Sequence, residues 1–160
     1  MRILSFDQAP SHTGWAYGRP GEMPVTGYRD MPDYGEAFRP MWLKFKPWLN
    51  DLLDKAAPRI VTTEQLLQGK DWRVMYRQFS LVAAIEVVCA ERGIDVYDIE
   101  VKDWRNKAGI PTRRPKWAKD DVEWLKNLAM ERCRDRGWKV PNHHAAEAAL
   151  MLEWAWEHWS

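Results

Sequence analysis

A chain of 160 residues with a formal net charge of +1 is long enough to bury most of the apolar surface its unfolded state exposes, and too short for a second domain to be expected. Its two cysteines, Cys89 and Cys133, lie far apart in amphipathic segments, which excludes a cysteine-based metal site and leaves two buried thiols. The longest apolar stretch, residues 81–90, is interrupted by Glu86 and falls short of the roughly 18 residues that mark a membrane span. The N-terminal apolar run is only strand-length, unlike a secretory signal. A soluble cytoplasmic protein without a membrane partner is expected.

In chain order, Ile3–Phe6 and Trp15–Gly18 read as two strands joined by a turn, with Asp7 closing the first; residues 25–31 supply a third antiparallel strand and complete a meander. From Tyr34 to Ala57 the spacing of Phe38, Trp42, Phe45, Leu49, Leu52 and Leu53 predicts a helix, broken or kinked at Pro40 and Pro47. Residues 59–64 are rich in β-branched side chains and end on Glu64, a buried strand. Trp72–Arg92 restores a helical period that Gly93 stops. Asp95–Val101 is the next strand, followed by a basic loop and an amphipathic helix over Lys116–Arg136 that Gly137 ends. Asn142 then caps a last helix whose Ala148, Met151, Leu152, Ala155 and Trp159 make an apolar stripe. Strands alternating with helices after a meander predict an α/β layered domain over residues 1–160 with a mixed sheet.

Charge is uneven along this frame. Residues 102–119 hold Lys102, Arg105, Lys107, Arg113, Arg114, Lys116 and Lys119 against Asp103 alone, a stretch suited to a polyanion or to a plain solvated loop. Most of the 11 tryptophans are expected to be packing residues. Trp104 and Trp117 lie inside the basic stretch, where an indole can stack on an unpaired base.

Asp7 and Glu64 each end an apolar strand, while His144 and Glu147 open the last helix three residues apart on one face. Ligand sites of α/β sheets form outside strand carboxyl ends, so adjacent parallel first and fourth strands would make Asp7 and Glu64 neighbours. Carboxylates gathered there repel one another unless a cation offsets the charge. Oxygen ligands favour Mg²⁺ or Mn²⁺, and Mn²⁺ accepts an imidazole. Two such ions about 3.5–4 Å apart activate a water and stabilise the leaving oxygen in phosphodiester hydrolysis. Taken singly, each residue has a plainer role as a turn cap, a solvated strand end or a surface histidine; their joint placement at element ends favours the metal site.

These segments, in this order, resemble the RuvC-type Holliday-junction resolvases of the RNase H-like superfamily, especially divergent phage and prophage forms. FDQAPSHTGWAYG is similar to the family's first strand, Asp, turn and Thr-Gly-Trp-Ala second strand; IVTTEQ places Glu64 at the end of the fourth; HAAEAAL puts His144 and Glu147 where the family carries D-x-x-D. Ala9 stands where the family commonly has Gly, and His144 where it commonly has an acid. His143 is also placed to face Glu147. Lys102 in EVKDW and Lys119 in AKDDV resemble the family's two lysines near the scissile phosphate.

The resemblance implies an RNase H-like fold with a mixed five-stranded sheet flanked by helices. It further implies a metal-dependent crossover junction endodeoxyribonuclease, with Asp7, Glu64, His144 and Glu147 as metal ligands and Lys102 and Lys119 as catalytic cations. Branched DNA as substrate, a homodimer to make paired nicks, and a role for the Trp72–Arg92 helix at the dimer or junction surface follow by the same analogy. Alternatives are a junction-binding protein without turnover and an RNase H acting on RNA–DNA hybrids. An actin-like ATPase also begins with strand, Asp and Gly-bearing turn, but no Gly-rich phosphate loop follows residue 21.

Overall fold

Every residue of Ile3–Gln8 is buried, polar and apolar alike, because this strand is the middle of the sheet and has helices on both faces. The computed structural model describes residues 1–9, 11–31, 38–66, 71–111 and 121–159, with backbone only at 38, 39, 121 and 122. Its elements are β1 (Ile3–Gln8), β2 (His12–Gly18), β3 (Val25–Asp30), α1 (Phe38–Ala56), β4 (Ile60–Glu64), α2 (Trp72–Glu91), β5 (Asp95–Ile99), α3 (Val101–Ala108), α4 (Asp121–Asp135) and α5 (His143–Trp159). The strands lie in the order β3-β2-β1-β4-β5, with β1 antiparallel to β2 and parallel to β4. This is an RNase H-like α/β fold. No described helix is long and apolar enough to cross a membrane.

The pleat sorts side chains into two cores. Leu4, Phe6 and Val61 face α1 and α2, where Phe45, Leu49, Leu81, Ile85 and Val88 meet them. Ile3 and Ile60 face the other way, onto α5 and its flanking α3 and α4. Asp7 has the parity of Ile3, so it points toward α5.

Four expectations need correction. Pro47 lies inside α1 without ending it, since the apolar face on either side of it, Phe45 and Leu49, is fully buried against the sheet and packing outweighs the lost amide. Pro40 falls in the first turn, where no hydrogen bond is lost. The fifth strand ends at Ile99, and the start of the predicted basic loop is helix α3. Its signal is the i, i+3, i+7 spacing of Val101, Trp104 and Ala108 ahead of Gly109, which ends the helix in the left-handed conformation at φ 71°. The last helix is buried around most of its girth, including Ala145, Ala146, Ala149 and Leu150, rather than along one stripe. Positions 34–37 of the first predicted helix and 116–120 of the third lie outside the described residues.

Candidate metal centre

The β1–β4 register runs Ile3↔Ile60 through Phe6↔Thr63, and the buried hydroxyls of Ser5 and Thr62 touch at 2.7 Å on the α5 side. One step further along the same face, Asp7 and Glu64 are neighbours. Beyond the last register pair the side chain of Gln8 continues the ladder. Its Oε1 accepts the Glu64 N–H at 3.1 Å and its Nε2 donates to the Glu64 carbonyl. A side-chain amide thus takes the part of a peptide and ties the end of β4 to β1.

The first turn of α5 comes down on the same spot. Asn142 accepts the Ala145 N–H at 3.0 Å, as expected of a cap. Gly14 pairs with Asp7 across β1 and β2, and a Cβ on it would lie 2.2 Å from the carbonyl carbon and oxygen of His144. Absence of that one atom lets the helix rest on the strand. His144 Nδ1 consequently reaches Asp7 Oδ2 at 2.6 Å, and ligand atoms of Asp7, His144 and Glu147 lie within 4.8 Å of one another.

Glu64 borders this set. Its Oε1 accepts the indole N–H of Trp104 at 3.0 Å, which aims the carboxylate from the α3 side. Trp104 is fully buried, so it is a positioning residue and is unavailable to stack on a base. The His143 and His144 rings lie with centroids 3.9 Å apart and planes tilted by 41°, and it is His144 that joins the acidic pair. Lys102 is exposed, with its ammonium 2.6 Å from Glu100. Lys119 and Trp117 lie outside the described residues. Gln8, Gly14 and Trp104 acquire their roles only from neighbours distant in sequence, and nothing in their local sequence reports those roles.

Electrostatics shows what this crowding costs. Burial raises the Glu147 carboxyl well above its ordinary value, and the charges of Asp7 and Glu64 add to the shift. Burial, with His12 and Lys126 adding, pushes His144 down to about 4, leaving the neutral imidazole that metals bind. Two carboxylates and a neutral imidazole, with a third carboxylate alongside, form a donor set that fits a divalent cation with hard preferences and tolerance for one nitrogen. The same crowding implies a pH effect with a definite sign. A carboxyl whose folded pKa is raised above the ordinary 4.5 adds stability below that value and loses it as pH rises toward the folded pKa. In chelator, the melting temperature of wild type should therefore fall from pH 5 to pH 8 more steeply than that of Glu147→Gln, and the variant should be the more stable at pH 8. Parallel melting curves across that range would mean Glu147 is not under this strain.

No protein-family profile matches the chain, and no curated protein matches it in sequence. Solved structures do match in fold. The RuvC of T. thermophilus, solved in complex with Holliday junction substrate, superposes with a TM-score of 0.74 at 13% identity, over 99% of this chain and 95% of that one. Fowlpox virus resolvase, also a complex with Holliday junction DNA, gives 0.61 at 10% identity over 99% and 98%. The yeast mitochondrial Holliday junction resolvase gives 0.60 at 12% identity over 98% and 78%. At such identities the likeness is one of fold.

Proposed function

We propose that the protein is a metal-dependent endonuclease that cuts branched DNA, in particular four-way junctions, by hydrolysing phosphodiesters. The observation that carries this reading is the convergence of Asp7, His144 and Glu147, ligand atoms within 4.8 Å, beside Glu64 at the carboxyl ends of β1 and β4. Their chemistry calls for a cation, and three solved structures of like fold are RuvC or resolvases, two of them with junction DNA bound.

In this reading Asp7, Glu64, His144 and Glu147 would hold Mg²⁺ or Mn²⁺, two ions to a site. Bound there, the ions supply the Lewis acidity that activates a water and stabilises the leaving oxygen. The protein's own contribution is placement. Asp7 and Glu64 stand on adjacent strands of a rigid sheet, Gln8 and Trp104 hold Glu64, and the capped turn of α5 carries the other two ligands. Lys102 and Lys119 add positive charge for the DNA backbone.

A homodimer completes the proposal, since two related sites make the paired nicks a junction needs. Trp72, Tyr76, Phe79 and Val87 leave a row of large apolar side chains on α2 about half exposed or more, which supports that helix as the contact between copies.

The test is wild-type protein with Mn²⁺ on an immobile four-way junction, a linear duplex of the same sequence and an RNA–DNA hybrid. Paired nicks on the junction alone are expected. Cleavage confined to the hybrid would make the protein an RNase H instead, and tight junction binding without nicks would make it a binding protein.

A further inference from the structure

Resting on that nuclease reading, we infer that Arg105 is a substrate-contacting cation of the site, which donates from its guanidinium to a non-bridging oxygen of the scissile phosphate. The inference starts from where α3 places it. Trp104, one residue earlier, is pinned by its bond to Glu64, and the Arg105 Cζ lies 5.3 Å from the centre of that indole ring. The guanidinium is therefore held along a ring that itself touches a proposed ligand.

Its hydrogen bonding is incomplete. Nε of Arg105 is enclosed yet has no hydrogen-bond partner among the described residues, an arrangement that disfavours the folded state unless an acceptor arrives. Three other cations of this layer are already engaged. Lys102 meets Glu100, Lys107 meets Glu157, and Arg136 grips both oxygens of Glu153. Arg105 acts on the acidic cluster through space, opposing the upward shift of Glu147, and among the described residues no ion pair consumes it.

A tetrahedral phosphate oxygen suits such a group. It is anionic, it matches the planar fork of a guanidinium, and a phosphodiester lying over Asp7 and Glu147 brings it to the same edge. Pairing with Glu147 instead would occupy a ligand that the cation needs. In the transition state, where charge on the phosphoryl oxygens grows, the contact would strengthen.

The test uses Arg105→Met and Arg105→Lys in the full chain. Met keeps the aliphatic stem packed on Trp104 and removes the unpaired nitrogen, so the folded state should hold. Single-turnover cleavage of the four-way junction is measured beside calorimetric Mn²⁺ affinity without DNA and the melting temperature. Arg105→Met should cut about a hundredfold more slowly, bind Mn²⁺ as tightly as wild type or more tightly because a like charge has gone, and melt no lower. Arg105→Lys should regain part of the rate, since it keeps the charge and loses the fork. An Arg105→Met variant as fast as wild type overturns the inference alone. So does one that loses Mn²⁺ affinity together with rate, which would make Arg105 a brace for the ligands. Wild type that binds Mn²⁺ but cuts no DNA overturns the nuclease reading, and this inference with it.

Discussion

Asp7→Asn is expected to abolish junction cleavage while leaving junction binding intact. Asp7 is the proposed ligand on which the others converge: it is buried, it sits on the central strand, and its Oδ2 is 2.6 Å from His144 Nδ1. The amide keeps the size and loses the charge, so the packing survives and the cation loses an anionic anchor. Lewis-acid assistance of this kind is worth several kcal/mol, which at 1.36 kcal/mol per tenfold gives a loss of about 10³-fold or more in cleavage rate. Stability should move in the opposite direction. One carboxylate fewer beside Glu147 lowers the repulsion that raises its pKa, so in chelator the variant should melt at or above the wild-type temperature at pH 8. Nicking assays, gel-shift titrations and thermal melts on the same preparations check all three. Cleavage equal to wild type would remove Asp7 from the chemistry, and loss of junction binding would mean that the residue shapes the DNA surface rather than the reaction.

Gly14→Ala is expected to damage the same site without touching a ligand. The added Cβ would fall 2.2 Å from His144 backbone atoms and 2.7 Å from the Ala145 nitrogen, far inside any van der Waals contact, and backbone cannot swing aside as a side chain can. Either α5 lifts off β2 or the strand bends, and both movements draw His144 and Glu147 away from Asp7. Overpacking of this severity costs about 3 kcal/mol, which for a domain of this size lowers the melting temperature by roughly 10 °C. Mn²⁺ affinity of the folded protein should fall along with it, because a displacement of about 1 Å is enough to spoil a ligand set. Thermal melts and calorimetric Mn²⁺ titration below the melting range give the result. A variant that melts and binds Mn²⁺ like wild type would show that the helix does not need this close seat.

Much of the frame was legible from local pattern. Alternation and apolar runs located all five strands, and Asn142 was readable as a cap because a cap acts on the next few amides; the turn read over residues 8–14 is shorter, since Gln8 ends β1 and His12–Gly14 open β2. Helix α3 escaped that reading since its exterior is charged and its apolar positions, Val101, Trp104 and Ala108, are few; eight residues with one buried tryptophan carry a weak periodic signal. Pro47 was read as a break or kink because its cost is local, whereas the packing that carries α1 through it is supplied by the sheet.

By itself, then, the sequence determined which residue types were available for chemistry and which of them stood at the ends of elements: Asp7, Glu64, His144 and Glu147 were identifiable from spacing and from the family resemblance. Tertiary structure alone decided that His144 rather than His143 meets Asp7, that Trp104 is spent on orienting Glu64 instead of facing solvent, that Gln8 locks β4 to β1, and that Gly14 is the seat of α5. The reason is physical. Strand ends and caps follow from interactions between residues near in sequence, while a distance of a few ångströms between residues 7 and 144 depends on pleat parity, register and the volume of every side chain between a helix and its sheet.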